Sequence, residues 1–133
     1  MKKVILLALF FLVGQVSASE KDNHPKEFVG VWVGEKQEGF GKKTKWEQRR
    51  KADGSYEIEF TYYLFGVENG DWAERGKWWI HDGLFYEISP SLMKKPDVYK
   101  VEVIDKNTIK FSQVSKGEST DTSEAYEFID RHK

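Results

Sequence analysis

The chain has 133 residues, a formal net charge of -1, 15% aromatic residues and no cysteine. That length suits one modest domain. The near balance of 21 basic and 22 acidic residues excludes the strongly basic footprint of a nucleic-acid binder. The missing thiols exclude disulfides, thiolate nucleophiles, thiolate metal sites and an acylated N-terminal cysteine.

Lys2 and Lys3, the apolar run over 4–14 and the small-residue site Val16-Ser17-Ala18 together predict an export signal over residues 1–18, cleaved after Ala18. The run is well short of the roughly 20 residues that cross hydrocarbon, so no membrane span is expected in the mature protein. The mature chain is then a single domain over 19–133, placed in the periplasm or secreted. Without disulfides, its stability must come from packing of its aromatic residues.

Residues 20–27 are polar, and Pro25 is placed to open a short helical turn before Phe28. Beyond it apolar residues recur at every second position. The clearest case is Tyr56, Ile58, Phe60, Tyr62 and Leu64, which alternate with Glu57, Glu59, Thr61, Tyr63 and Phe65 as in a strand with one buried face. The same test places strands near 28–35, 44–51, 55–65, 72–80, 84–89, 97–104, 108–114 and 123–130.

Turn chemistry sets the expected registers. A three-residue loop Ala52-Asp53-Gly54, with Gly54 left-handed, pairs Lys51 with Ser55, Gln48 with Ile58 and Trp46 with Phe60. A two-residue turn would instead put Lys45 and Arg49 beside Tyr62 and Ile58, and burying such charges costs more than the apolar gain. By the same rule His81-Asp82-Gly83 pairs Ile80 with Leu84 and Trp78 with Tyr86. Asp105-Lys106-Asn107, with Asn107 left-handed, pairs Val103 with Ile109 and Val101 with Phe111. Asn69-Gly70 reads as a two-residue turn, but that register sets Tyr62 and Trp78 on opposite faces. A bulge at Gly66 or Gly76 is therefore expected. Residues 89–96 and 115–122, rich in Pro, Ser, Thr and Gly, read as rim loops.

Successive hairpins with one apolar face, no central strand proline and no long crossover predict an all-β, eight-stranded antiparallel up-and-down barrel. Such a barrel encloses packed side chains or one small ligand.

Phe28-Val29-Gly30-Val31-Trp32, entered from the turn at Pro25, resembles the Gly-x-Trp signature of the lipocalins and their calycin relatives, and the chain is most similar to small exported bacterial lipocalin-like domains. The resemblance implies that Trp32 lies across the closed end of the barrel. It also implies that an arginine from the end of the last strand, here Arg131, packs over that ring, a cation–π pair worth about 0.5–2 kcal/mol. The chain departs from the family in lacking its C-terminal helix, its second aspartate and tyrosine motif and its usual disulfide.

Two functions follow as expectations. The first is binding of a small apolar or amphipathic molecule, such as a fatty acid or lipid-like compound. The lining would be Trp46, Tyr56, Phe60, Tyr62, Trp78, Tyr86, Tyr99, Phe111 and Tyr126, with Gln48, Arg50 and Gln113 as polar handles. The same pattern is compatible with an interior that these rings simply fill. The second is a protein partner, as for a periplasmic inhibitor acting through rim loops and the N-terminal segment over 19–26. Lys42, Lys43, Lys45, Arg49, Arg50 and Lys51 face an acidic stretch over 52–74, although an Arg49–Glu57 pair and its neighbours also read as the two strands of one hairpin neutralising each other. No cofactor, metal or catalytic residue is expected, so the protein reads as a non-enzyme. His24, His81 and His132 form no ligand set, although His24 and His132 with Asp22 or Asp130 approach one end of a closed barrel. Glu57 and Glu59 share the solvated face, and no nucleophile elbow, phosphate loop or His-Glu-x-x-His occurs.

Overall fold

The computed structural model describes residues 23–115 and 126–133. The expected export signal lies outside the described residues, as do most of the 115–122 connection and the first part of the strand expected over 123–130.

Pro25, with its fixed φ, opens a 3-10 turn at Lys26–Phe28, closed by the Phe28 N–H donating to Pro25 O at 3.0 Å. Eight strands follow: β1 Gly30–Gly39, β2 Lys42–Arg50, β3 Ser55–Leu64, β4 Val67–His81, β5 Leu84–Ile88, β6 Asp97–Asp105, β7 Thr108–Ser115 and β8 Glu127–His132. Each pairs antiparallel with the next, and β8 returns to β1 through Trp32 opposite His132 and Val33 opposite Arg131, so the sheet closes as an up-and-down barrel. One end, the base, holds the 3-10 turn, the C-terminus and the connections after β2, β4 and β6. The other end, the mouth, holds the connections after β1, β3 and β5, the end of β7 and the start of β8.

Two registers fall as the turns predict. In the β2–β3 hairpin Trp46 faces Phe60 and Gln48 faces Ile58, with Gly54 left-handed at φ 88° and the Lys51 N–H bonded to Ser55 O at 2.9 Å. In the β6–β7 hairpin Val101 faces Phe111 and Val103 faces Ile109. Asn107, however, is not left-handed. Its N–H is taken by the Asp105 carboxylate at 2.8 Å, and the register slips between Val103 and Asp105.

Two junctions correct the sequence reading. The β4–β5 connection is a two-residue turn, Asp82-Gly83, with both residues at positive φ (50° and 74°), so His81 pairs with Leu84 and Ile80 with Phe85. Twist compatibility of that turn type outweighs the cost of turning Glu87 inward, because Phe85 then enters the core. Tyr86 goes outward and stacks on Trp79 at 5.3 Å. The β3–β4 turn is Phe65-Gly66 rather than Asn69-Gly70, and β4 runs through both latter residues. The parity-restoring bulge is real, but it lies where Tyr62 faces Gly70 and Tyr63 faces Glu68, not at Gly66 or Gly76.

The base half of the interior is solid. Trp32, Trp78, Phe85, Ile109 and Phe111 are each at most 1% exposed, and burial of such side chains is worth roughly 1.5–3 kcal/mol apiece. Phe28 of the 3-10 turn stacks on Phe85 at 5.9 Å and lies parallel to Trp78 at 6.4 Å, plugging the end.

Candidate functional site: the barrel interior and its mouth

Above the base plug lies a polar layer centred on Arg50. Alternation along β2 turns Trp46, Gln48 and Arg50 inward against Phe60, Ile58 and Tyr56 of β3. The guanidinium sits among three rings, 5.1 Å from Trp32, 5.4 Å from Phe85 and 5.5 Å from Phe111. Its Nε donates to Phe28 O at 2.8 Å, and its Nη1 donates to Asp130 Oδ2 at 3.0 Å and to Gln48 Oε1. Nη2 is buried without a protein partner. The Trp32 indole also donates to Phe28 O at 3.0 Å, so one carbonyl ties tryptophan and arginine to the plug. Arg50, not Arg131, therefore supplies the cation over Trp32. Arg131 follows Asp130 along β8, and since Asp130 points inward, Arg131 points out to solvent.

Asp130 serves as buried counter-ion, its other oxygen accepting from the Trp46 indole at 2.8 Å. Burial pulls the Arg50 pKa below its usual value, and the Asp130 carboxylate opposes that shift. Glu87, turned inward by the Asp82-Gly83 register, accepts from Gln48 Nε2 at 3.2 Å. Burial raises its pKa from the ordinary 4.5 to about 7, against the Gln48 hydrogen bond and the Arg50 charge and helped by Asp97 and Asp130. Burial, then the Glu87 charge, also raises the Tyr56 and Tyr99 phenols well above their usual value. Tyr126 is pushed up to about 12, mainly by burial. The phenols are hydrogen-bonding groups that stay neutral.

From this layer to the mouth the interior is aromatic and loosens. Trp46 and Tyr99 meet Phe128 edge-on at 5.4 and 5.5 Å, and Phe111 stacks on Phe128 at 4.8 Å. Higher still, Phe60 and Tyr62 are parallel at 6.5 Å, and the Lys36 ammonium lies 3.7 Å from the centre of the Tyr126 ring. Tyr62 is 37% exposed and Trp72, opposite Phe60, is 49% exposed.

The nine residues expected to line a cavity thus separate. Trp78, Phe111 and Tyr56 belong to the buried base, Trp46 and Tyr99 to the middle, and Phe60, Tyr62 and Tyr126 to the mouth. Tyr86 is on the outer wall, because the turn before it is one residue shorter than expected. Sequence reasoning missed Phe85, Trp72 and Glu87, all displaced by the two misplaced turns, and Phe128, whose alternation with Asp130 was the available signal.

Outside, a groove of about 790 Å³ crosses β8, β1, β2 and β3. It is lined by Val33, Ile129 and Tyr63 together with Glu35, Lys45, Glu47, Glu59 and Arg131. Its floor includes Gly34, where an added Cβ would come within 2.3 Å of the Trp46 ring. His24 and His132 do not meet. Each lies edge-on to a different tryptophan, Trp78 and Trp32, at 5.0 Å. Among the described residues no group of three or more His, Asp and Glu has the arrangement of a metal site, and no helix is long and apolar enough to cross a membrane. Comparison with protein-family models, with curated proteins and with solved structures gives no match.

Proposed function

We propose that the barrel is an exported binding protein that takes one small amphipathic molecule through its mouth, apolar part among Phe60, Tyr62, Trp72 and Tyr126 and polar part toward the Gln48–Glu87 layer. The observation that carries this reading is the contrast along the barrel axis. Inward-facing rings at the base are sealed by one another, whereas two of the inward-facing rings at the mouth stay exposed, Tyr62 at 37% and Trp72 at 49%. A barrel built only to fill itself gains nothing from leaving large apolar rings wet. The lipocalin resemblance agrees with it. Gly30-Val31-Trp32 leads into the closed end and an arginine covers the tryptophan, though that arginine comes from β2. In this reading the protein is not an enzyme and works in the periplasm or outside the cell.

Titration of the delipidated protein with a fluorescent fatty acid, with native mass spectrometry after exposure to a lipid extract, tests it. Saturable one-to-one binding is expected, weakened roughly tenfold or more by Phe60→Ala. Failure to bind either at saturating concentration overturns the reading. The outer groove favours a second reading, a protein-binding module. Its mixed charges and three apolar side chains suit the rim and centre of a partner contact, and capture of a partner lost in Arg131→Glu would select it.

A further inference from the structure

Among the described residues three hairpins turn on two residues that are both at positive φ: Phe40-Gly41 (50° and 74°), Phe65-Gly66 (49° and 80°) and Asp82-Gly83 (50° and 74°). The first position of such a turn favours Asn, Asp or Gly, since bulkier side chains strain there. The base turn follows that preference with Asp82. Both mouth turns instead carry phenylalanine, with Phe40 92% and Phe65 78% exposed, so the barrel gains no burial in return for the strain. The tips are joined. The Phe65 N–H donates to Gly41 O at 2.8 Å, and the Phe65 ring lies so close over Gly41 that an added Cβ would approach it to 2.4 Å. Behind them Leu64 faces Val67, 37% and 69% exposed, and this apolar surface runs on through Tyr62 and Trp72 into the mouth.

We propose that the paired tips are a docking wedge for a zwitterionic phospholipid bilayer, with Phe40 and Phe65 inserted at the interface and Leu64 and Val67 at its boundary. Projection argues for lipid. Phe40 and Phe65, 92% and 78% exposed at adjacent hairpin tips, offer roughly 300–500 Å² of ring surface standing clear of the barrel, for which a protein partner would need a pocket cut to each ring. A fluid bilayer needs no complementary surface. Backbone pairing suits lipid as well, because Gly39 pairs with Lys42, Leu64 with Val67 and Phe65 with Gly41, which limits the unpaired amides at the tips. The flanking charges, Lys36, Lys42 and Lys43 against Glu38, Glu68 and Asp71, cancel, which suits a neutral headgroup layer rather than an anionic one.

Flotation with phosphatidylcholine vesicles is the test. The wild type is expected to float with the vesicles, and raising salt from about 0.1 M to about 1 M leaves the fraction unchanged. Phe40→Asn and Phe65→Asn each lower the partition coefficient roughly tenfold. Asn suits a left-handed turn and the Phe40 ring is almost wholly exposed, so Phe40→Asn keeps or raises the melting temperature, separating lost docking from lost folding. As the chain has no cysteine, a polarity-sensitive dye can be placed at Phe40→Cys or, at the base, at Lys106→Cys. Vesicles should brighten only the first. The proposal is overturned if the wild type stays with the soluble fraction, if the Asn variants float equally well, if salt releases the protein, if the Lys106→Cys dye responds equally, or if the phenylalanines instead support self-association without lipid. None of these readouts depends on what the barrel holds.

Discussion

Arg50 and Glu87 show how single side chains organise this interior. Arg50 is held by one backbone carbonyl, one amide oxygen and one carboxylate and is enclosed by three rings. A buried ion pair of this kind contributes little net stability, because desolvating both charges offsets their attraction, but removing either partner strands the other. Glu87 is an interior group whose raised pKa falls in the ordinary pH range. Its folded-state pKa of about 7 lies above the ordinary 4.5, so between those values the folded chain binds more proton than the unfolded one. The stabilisation from protonated Glu87 is complete below the lower value and is lost as pH rises toward 7. Glu87→Gln, compared with wild type in urea unfolding across that range, should remove this decline and leave the variant the more stable of the two above pH 7. Parallel curves for the two proteins would contradict the inward placement of Glu87.

At the scale of elements, hairpin turns decide which side chains face inward. The β4–β5 turn rests on close approach as well. Gly76 of β4 sits where an added Cβ would lie 2.1 Å from the Ile88 carbonyl oxygen and 2.6 Å from the Tyr56 ring. Backbone cannot yield as a flexible side chain does, so Gly76→Ala should destabilise by about 2 kcal/mol or more, read as a lower denaturation midpoint at unchanged slope. A neutral result would mean that β4 and β5 are further apart than described. Alternation alone revealed the strands and the inward set of β2 and β3, including Arg50, because period-two burial leaves a direct trace in residue order. It could not separate a two-residue from a three-residue loop at Asp82-Gly83, since either keeps one apolar face apart from a single charge. Nor did it find the Phe65-Gly66 turn, because phenylalanine is a poor local signal for left-handed backbone. Tyr86, Phe85 and Glu87 were misplaced as one block for that reason.

Across the whole molecule stability is graded from base to mouth. The base combines the Phe28 plug, the tryptophan and arginine stack and two-sided strand pairing. By contrast, β4 pairs with β5 only over 77–81, so its residues 67–74 are strand-paired with β3 alone. Native-state hydrogen exchange should therefore find the amides of Trp32, Tyr56 and Phe111 opening only with global unfolding, and those of Glu68 to Trp72 exchanging through local opening at lower free energy. Equal protection at both ends would refute the gradient and weaken the case for an accessible mouth.

Residue order by itself determined the fold class, the number of strands and two of the hairpin registers, because each follows from local periodicity and short-range turn chemistry. Which arginine covers Trp32, that Glu87 faces inward and that the Phe65 tip packs over Gly41 were decided only in three dimensions. Those facts depend on a one-residue difference in loop length and on the closure of β8 against β1, and both bring together residues whose separation along the chain carries no trace of their contact.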